Sequence, residues 1–237
     1  MATENRLERM QCLADILDMP ALVRILDIGA NPMYFDAPYK LMLENGFCHL
    51  IGFEPQAAAL ETLNENKGSN ETYFNAALGD GAAHNLNIYH GSGLTSLLKI
   101  RTKTLSFLRG LRRAARPVDV QAIQTRKLDD LADIGRIDFL KIDIQGAELS
   151  VMEHGITALQ STVAIQTEVS FFPLYETQPS FGEIDVFLRK NGFVPHSFLH
   201  IEKRLVLSRK GRALDPKRAT QMLDGDILYL RDLSASE

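Results

Sequence analysis

The stretch 23-VRILDIGANPMYFD-36 joins an apolar run to a polar turn, and this pattern decides the fold prediction. Its first residues are mostly apolar, as in a strand that is buried in a sheet. Asp27 lies at the end of this run, and Gly29 and Asn31 follow directly. Glycine lets the backbone approach a ligand closely and adopt a positive φ angle. The stretch therefore predicts a buried strand that ends in a ligand-binding turn.

Beyond this stretch, the chain alternates between strand and helix patterns. Apolar strand patterns lie at 48–54, 72–78, 84–89, 137–144, 162–169, 193–201 and 226–232. Helical patterns lie at 5–19, 34–45, 56–66 and 147–154. A last helix is predicted to begin with a capping box formed by Ser180 and Glu183 and to end at Gly192.

These patterns predict an α/β fold with a doubly wound, mostly parallel sheet of about seven strands and helices on both faces. The last two strands have no clear helix between them, so we predict one antiparallel strand near the C-terminus. We expect a single domain over residues 1–237. Within it, the patterns predict an N-terminal helix over 1–20, a lid or insertion over 91–117 and a basic connection over 203–225.

Length and composition fit one large domain of this class. Of the 237 residues, 45% are hydrophobic and 24% are charged, as in ordinary globular proteins. No apolar run approaches the ~18 residues that cross a bilayer, and the opening MATENRLERM lacks the apolar core of a secretory signal. Two cysteines, Cys12 and Cys48, are too few for a disulfide framework. The sequence therefore predicts a cytoplasmic protein.

Charge is unevenly distributed along the chain. Residues 99–116 hold seven basic residues and no acidic one, and residues 203–218 hold seven basic residues and one acidic one. Within the first segment, the spacing of Leu105, Leu108 and Leu111 among arginines that include Arg109 predicts an amphipathic cationic helix. Both segments are either solvated surface or a docking surface for a phosphorylated carrier, a lipid head group or nucleic acid. For the first segment we consider a lid over the acceptor site, a membrane-surface contact and a dimer contact.

The turn after Asp27 excludes two common nucleotide sites. A dinucleotide fingerprint needs G-x-G-x-x-G, and this turn reads GANPMY, with only the first glycine. A phosphate-binding P-loop needs G-K-S/T, which this chain lacks. A bare carboxylate at the turn also repels phosphate, so the turn favours a ligand with ammonium or hydroxyl groups.

Polar residues at the next strand ends complete an adenosine-binding pattern. Glu54 ends the second strand, where an acid can accept two hydrogen bonds from a ribose diol. Asn75 and Asp80 follow the third strand, where polar side chains and main-chain amides can reach an adenine ring. S-adenosylmethionine matches this pattern, because it contains an adenosine and no phosphate, and its methionine end carries an amino group that an acidic turn can bind. We therefore predict S-adenosylmethionine as the cofactor, bound by Asp27, Gly29, Asn31, Glu54, Pro55, Asn75, Ala76, Asp80 and Asp143.

A set of short motifs resembles the FkbM-type methyltransferase family. The motifs are DIGAN (27–31), GFEP (52–55), ALGDG (77–81), TSLL (95–98), KLDDL (127–131), FLKIDIQGAEL (139–149) and QTEVSFFPLY (166–175). The resemblance implies a class I, Rossmann-like fold and methylation of hydroxyls on sugars or natural products, with S-adenosylhomocysteine as the product. It also implies cofactor roles for Asp27, Gly29 and Glu54.

Two places depart from the family pattern. Pro32 and Met33 stand where the family commonly has a glycine, and Gln145 stands where it commonly has glutamate. These departures keep open an alternative in which the fold is retained as a non-catalytic binding or scaffold module. An N-methyltransferase is a further alternative, which is disfavoured because the strand at 137–144 ends in DIQG rather than in an Asn/Asp-Pro-Pro-aromatic motif.

Candidate catalytic residues follow the last two parallel strands of the predicted sheet. Alternation along a strand places Lys141 and Asp143 on the same side. Methyl transfer to a hydroxyl requires an aligned acceptor, and a positioned base removes the proton of the hydroxyl. The predicted catalytic set consists of Asp143 as first candidate base, Glu168 as second, His196 or His200 as third, and Lys141 beside them.

Metal and partner predictions follow from the same residues. Asp143, Glu168 and Glu148 are carboxylates that could hold Mg²⁺, although nothing in their spacing requires a metal. We expect a small-molecule or glycan acceptor, either anionic or carrier-linked. We keep a peripheral membrane contact as an option and expect no nucleic-acid partner.

Overall fold

Ten strands form two sheets in the computed structural model, which describes residues 2–17, 22–31, 37–108, 110–131, 134–206 and 219–235. The strands are β1 (Val23–Ile28), β2 (Cys48–Phe53), β3 (Glu71–Phe74), β4 (Ala77–Leu78), β5 (Ala83–Tyr89), β6 (Pro117–Arg126), β7 (Phe139–Ile142), β8 (Ala164–Ser170), β9 (Phe193–Arg204) and β10 (Gln221–Arg231). The central sheet has seven strands in the order β3-β2-β1-β7-β8-β10-β9.

Strand β1 lies where the strand order of the central sheet reverses. It pairs in parallel with β2 on one side and with β7 on the other. The β2–β3 and β7–β8 pairs are parallel as well. In doubly wound sheets, ligands bind at such a reversal, beyond the carboxyl ends of the strands. The topology thus brings the ends of β1, β2 and β7 around one expected ligand site.

Strand β10 runs against its neighbours in the central sheet. It pairs antiparallel with β8 on one side and with β9 on the other, so β9 is parallel to β8. Among the described strands of this sheet, β10 alone is antiparallel. The predicted α/β fold, with about seven mostly parallel strands and one antiparallel strand near the C-terminus, is confirmed.

A second, smaller sheet has the order β4-β6-β5. The sequence predicted a single strand over 72–78, and the structure divides it between β3 in the central sheet and β4 in this one. The chain turns between the two strands, where the Ala76 N–H donates to the Phe74 carbonyl. Strand β6, which the sequence left without an assignment, connects β4 to β5.

Six α-helices are described: α1 (Ala2–Leu17), α2 (Lys40–Glu44), α3 (Ala57–Asn66), α4 (Thr102–Phe107), α5 (Glu148–Glu153) and α6 (Phe181–Lys190). Short 3₁₀ helices lie at 92–94, 128–130, 158–161 and 233–235. Helix α6 begins with the predicted capping box of Ser180 and Glu183. Helix α2 covers only the end of the predicted helix over 34–45, and residues 32–36 lie outside the described ranges.

The apolar core has a main part under the central sheet and a second part beside it. The main part includes Leu26, Leu140 and Ile165 from neighbouring parallel strands. The second part joins Leu108 and Leu111 to Tyr89, Ile100, Leu174, Tyr175 and Leu223. It attaches the segment that follows β5 to the rest of the domain.

The predicted amphipathic helix within 99–116 is wrong in its extent. Helix α4 ends at Phe107 because the next residue, Leu108, forms a β-bridge with Val206. Leu108 and Leu111 are nevertheless buried, as their apolar character predicted. Arg109 and residues 207–218 lie outside the described ranges. The lid over 91–117 and the basic connection over 203–225 stay predictions.

Among the described residues, no helix is both long and apolar enough to cross a membrane. The cytoplasmic location stays a prediction.

Candidate active site

A cavity of about 970 Å³ opens at the carboxyl ends of the parallel strands. It lies where the order of the strands reverses, as expected for a doubly wound sheet. Its wall comes from the ends of β1, β2, β7 and β8, from strand β10 and from the loop at 92–97. Of the residues predicted from the sequence, it is lined by Asp27, Gly29, Asn31, Glu54, Pro55, Ala76, Lys141, Asp143, Glu168 and His200.

The turn at Gly29 packs directly against the end of β7. Gly29 has a φ angle of +86°, which side chains rarely allow, and a Cβ atom there would lie 2.1 Å from the Asp143 carbonyl oxygen. The N–H groups of Gly29 and Ala30 both donate to the Phe53 carbonyl at the end of β2, at 3.0 and 3.2 Å. Only glycine fits between these three strand ends.

Asp27 is a paired carboxylate, in contrast to the bare one assumed from the sequence. It is 2% exposed. Lys141 Nζ lies 3.0 Å from its Oδ1 atom, and the Tyr39 hydroxyl donates to its Oδ2 atom. Burial by itself would lower the pKa of Lys141, but Asp27 and Asp143 outweigh this effect and hold it above its ordinary value. Lys141 is therefore an ammonium ion at neutral pH and cannot serve as a base.

Glu54 closes the cavity at the end of β2. It is 2% exposed, and its Oε1 atom accepts a hydrogen bond of 2.7 Å from the Gln56 N–H. Burial raises the pKa of Glu54, although the Gln56 N–H opposes this shift. A hydrogen bond from the Gln56 side chain opposes the shift as well. Glu54 thus presents a buried, hydrogen-bonded carboxylate to the cavity.

Three carboxylates meet beyond β7 and β8. Asp143, Glu148 and Glu168 each offer one oxygen, and these oxygens lie within 4.8 Å of one another. Burial raises the pKa of Glu148 to about 7, although main-chain N–H groups of its own turn oppose the shift. Burial, and next the charge of Asp143, raise the pKa of Glu168 well above its ordinary value. Glu148 and Glu168 therefore bind protons more readily than exposed carboxylates do.

Gln145 bridges two of these carboxylates. Its Nε2 atom donates to Asp143 Oδ1 at 2.9 Å and to Glu168 Oε1 at 3.2 Å. The Tyr175 hydroxyl donates to Gln145 Oε1 at 3.0 Å, and the Ser96 hydroxyl donates to the Gln145 carbonyl at 2.7 Å. Gln145 also has a φ angle of +61°, which is uncommon for a residue other than glycine. Hydrogen bonds from separate segments therefore hold a strained residue in one orientation.

Comparison with known proteins gives the family of this chain. The family model of the methyltransferase FkbM domain matches residues 27–195, which include the ends of β1, β2, β7 and β8. The chain belongs to the FkbM methyltransferase family. It is similar to the 2-O-methyltransferase NoeI of Sinorhizobium fredii (strain NBRC 101917 / NGR234), with 32% identity over 178 residues that make up 70% of each protein. The family prediction is confirmed, and it supports a methyltransferase that uses S-adenosylmethionine.

Two solved methyltransferase structures are similar to this FkbM-family chain at low sequence identity. Magnesium protoporphyrin IX methyltransferase (ChlM) from Synechocystis PCC 6803 with bound SAM has a TM-score of 0.45 and 9% identity, over 96% of this chain and 78% of that chain. Precorrin-6y C5,15-methyltransferase from Geobacter metallireducens GS-15 has a TM-score of 0.41 and 12% identity, over 92% of this chain and 84% of that chain.

The carboxylate cluster of this FkbM-family chain is already occupied by hydrogen-bond donors. Both oxygens of Glu148 accept main-chain N–H groups, from Ile144 and Gly146, at 2.9–3.0 Å. The remaining two carboxylates face the Nε2 atom of Gln145, which donates hydrogen bonds and cannot ligate a cation. A Mg²⁺ ion would fit between Asp143 and Glu168 only after the Gln145 amide turned away. The Mg²⁺ prediction stays untested.

Three predicted site residues of the FkbM-family chain are not brought to the cavity. Asn75 is exposed, and its Nδ2 atom donates to the carbonyls of Glu54 and Pro55. Asp80 accepts hydrogen bonds from its own turn, at the Ala82 N–H and the His84 ring, which lowers its pKa to about 2. His196 is exposed on β9 and does not line the cavity. We therefore leave these three residues out of the proposed site.

Three cavity residues were missed in the sequence. Tyr39 reaches Asp27 from a turn for which the sequence offers no signal. Asp226 lies opposite Glu168 in the β10–β8 register, which depends on an insertion of β10 that the sequence does not reveal. Gln166 lies two residues before Glu168 on the same strand, so alternation along β8 could have identified it.

Proposed function

We propose that this FkbM-family chain transfers the methyl group of S-adenosylmethionine to a hydroxyl of a saccharide or secondary metabolite. The observation that carries the proposal is the carboxylate pair, Asp143 and Glu168, which lines the cavity and shares one amide donor. A hydroxyl must lose its proton when it is methylated, and a positioned carboxylate can accept that proton. The similarity to a protein named as a 2-O-methyltransferase supports oxygen as the acceptor atom.

The cavity offers suitable groups for the cofactor. Its volume lies in the range of small-molecule sites. S-adenosylmethionine, when bound, supplies a methyl group on a positively charged sulfur. In the proposed arrangement, the Glu54 carboxylate accepts hydrogen bonds from the ribose hydroxyls, and the Gly29 turn lets the main chain come close to the cofactor. Lys141 keeps N–H donors beyond its pair with Asp27, and these suit the carboxylate of the methionine end.

Glu168 is the proposed base. A base works best when its pKa lies near the working pH. The raised pKa of Glu168, caused first by burial and then by Asp143, brings it toward that range from its ordinary acidic value. Asp143, the first candidate from the sequence, becomes the second candidate after Glu168. It stays a candidate because it lines the same cavity and shares the same amide. His200 also lines the cavity, but its ring is largely exposed.

Gln145 is the proposed positioning residue for this base. Its Nε2 atom faces both carboxylates, and the Tyr175 hydroxyl contacts its Oε1 atom. Turning the amide over would place its oxygen against two carboxylates. Hydrogen bonds to the ionised form of a carboxylate favour that form. The amide therefore holds the two carboxylates together and limits how tightly Glu168 retains a proton.

Calorimetric titration with S-adenosylhomocysteine tests the cofactor site. We expect Glu54→Ala to weaken binding by about 10-fold to 100-fold, because charged hydrogen bonds to the ribose are lost. Glu61→Ala, on the exposed side of α3, removes the same charge outside the cavity and should leave the affinity unchanged. If Glu54→Ala bound as tightly as the wild type, the role of Glu54 would be wrong.

Transfer of a labelled methyl group to a panel of saccharides and to a cell extract tests the reaction. We expect a product in which the label resists alkali, as a methyl ether does and a methyl ester does not. Label found only on nitrogen would overturn the O-methyltransferase proposal. Binding of S-adenosylhomocysteine without a labelled product would favour the non-catalytic binding module.

A further inference from the structure

The basic segment at 99–116 begins and ends beside the loop that lines the cavity. The loop at 92–97, which lines the cavity, leads directly into this segment. At its start, the Arg101 N–H donates to the Leu174 carbonyl at 2.9 Å. At its end, the carbonyls of Arg116 and Ala114 accept the N–H groups of residues 90 and 91, each at 2.9 Å. The segment thus follows the cavity-lining loop in the sequence, and its last residues pair with the two residues that precede that loop.

The cationic side chains of this segment face solvent without acidic partners. Lys99, Lys103, Arg112, Arg113 and Arg116 are exposed. None of them forms an ion pair with another described residue. The segment itself contains no acidic residue, so no charge within it compensates these cations.

An apolar base holds this charged segment in place and presents one aromatic ring. Leu108 and Leu111 are buried in the second part of the core. Phe107 is 40% exposed, and its ring stacks on Phe172 with 5.4 Å between the centroids. An exposed aromatic ring therefore lies in the chain between Lys103 and the arginines that follow.

The second basic segment begins at the same place. Leu108 forms a β-bridge with Val206, the last described residue before 207–218. By sequence, residues 207–218 add five basic residues and one acidic one. The bridge therefore places Val206, near the start of the second basic segment, beside the end of α4.

We propose that the exposed basic residues of the segment at 99–116, together with Phe107, form a surface that binds anionic lipid membranes. Binding of this basic surface would hold the cavity near an acceptor at the membrane. Recognition of one small anion requires a few fixed cations that converge on a point, whereas these cations are exposed and spread along a segment. Cationic residues beside an exposed aromatic ring match the charge and the apolar boundary of a lipid surface. Membrane binding itself does not depend on the proposed function. Only the placement of an acceptor at the membrane rests on the proposed function.

Flotation of the full chain with vesicles tests this proposal. The vesicles contain phosphatidylcholine alone or with about one third phosphatidylglycerol. We expect binding to the anionic vesicles only, and loss of that binding as salt rises from about 0.1 M toward 1 M. Since each basic residue strengthens binding to an anionic surface about fivefold, Arg112→Glu with Arg113→Glu should weaken it by at least about 25-fold. Phe107→Ser should weaken binding to the same vesicles by a smaller factor and leave its salt dependence unchanged.

A matched control separates this surface from net charge. Lys67→Glu with Lys190→Glu makes the same change in charge at two exposed sites, one directly after α3 and one at the end of α6, and should leave vesicle binding unchanged. Equal losses in both double variants, or binding to a duplex oligonucleotide but not to vesicles, would overturn the proposal. Calorimetry with S-adenosylhomocysteine on the same samples reports on the cofactor site separately, so failure of either proposal is recognised without the other.

Discussion

Two acidic regions face the same cavity with different partners. At the end of β1, Asp27 is paired with the ammonium group of Lys141 and the hydroxyl of Tyr39. Beyond β7 and β8, Asp143 and Glu168 share the neutral amide of Gln145, and Asp143 also interacts electrostatically with Lys141. Asp27 therefore has an ion pair, whereas Glu168 forms none with any other described residue.

This difference shows that the partner, more than the residue type, determines what a buried carboxylate can do. A carboxylate beside a cation remains charged and can orient a ligand. Buried carboxylates without a cation take up protons, as the raised pKa values of Glu148 and Glu168 indicate, each caused first by burial. We therefore expect the first region to bind the cofactor and the second to exchange protons with the acceptor.

Glu168→Gln should have the largest effect on this comparison. We expect kcat to fall by about 10²-fold to 10⁴-fold, because a positioned base contributes that much to proton removal. The affinity for S-adenosylhomocysteine should stay unchanged. Since the pKa of Glu168 is raised and the base acts when deprotonated, the wild-type rate should rise with pH beyond the ordinary range of carboxylates. The variant should lack this rise, which a pH profile of kcat measures.

Asp226→Asn is the comparison variant for this experiment. Asp226 lies opposite Glu168 in the sheet, and burial, followed by the charge of Asp143, raises its pKa. The proposal assigns it no proton transfer, so its replacement should cost less than about tenfold in kcat. A larger loss of kcat from Asp226→Asn than from Glu168→Gln would show that the base lies on β10 and not on β8.

Gly29→Ala tests whether the two regions depend on one turn. Because the new Cβ would lie 2.1 Å from the Asp143 carbonyl oxygen, β1 and β7 must move apart. We expect binding of S-adenosylhomocysteine to weaken by about 100-fold, the equivalent of about 3 kcal/mol of overpacking. Calorimetry measures this loss.

Gly46→Ala is the matched control for backbone strain. Gly46 has a φ angle of +72°, and a Cβ atom there would have nothing within 4 Å. Both variants should lose about 1–2 kcal/mol of the free energy of unfolding through the left-handed backbone. Only Gly29→Ala should lose cofactor affinity, and an equal loss in Gly46→Ala would show that strain alone is responsible.

Gln145→Met should have the smallest effect and should sharpen the comparison most. Methionine keeps the length of the side chain but removes the N–H groups that bind Asp143 and favour the ionised form of Glu168. The rise of kcat with pH should therefore move to higher pH, with a loss of about tenfold at neutral pH that higher pH restores. A loss of the free energy of unfolding without a shift of the pH profile would reduce Gln145 to a structural role.

The strand ends of this site could be predicted from the sequence. Asp27, Glu54 and Asp143 each follow an apolar run, and the carboxyl ends of parallel strands always meet at one edge of a sheet. Such a prediction needs only local patterns and the parallel arrangement. It located one side of the cavity without any knowledge of strand order.

The contacts between these ends could not be predicted in the same way. Lys141 reaches Asp27 because β7 lies beside β1, and Asp226 faces Glu168 because β10 lies beside β8. Strand neighbours are long-range choices that local patterns do not encode. The same limit explains the wrong helix within 99–116, where the leucine spacing identified buried residues but not the bridge from Leu108 to Val206.

The position of β10 between β8 and β9 restricts the order in which the last strands of the central sheet can pair. Strand β9 is synthesised before β10, yet β10 must separate it from β8. Until residues 221–231 leave the ribosome, β8 has an unpaired edge, and such edges recruit strands from other molecules. A shortened chain without β10 would therefore tend to associate through β8, and completion of the cavity is a late event in the maturation of each molecule.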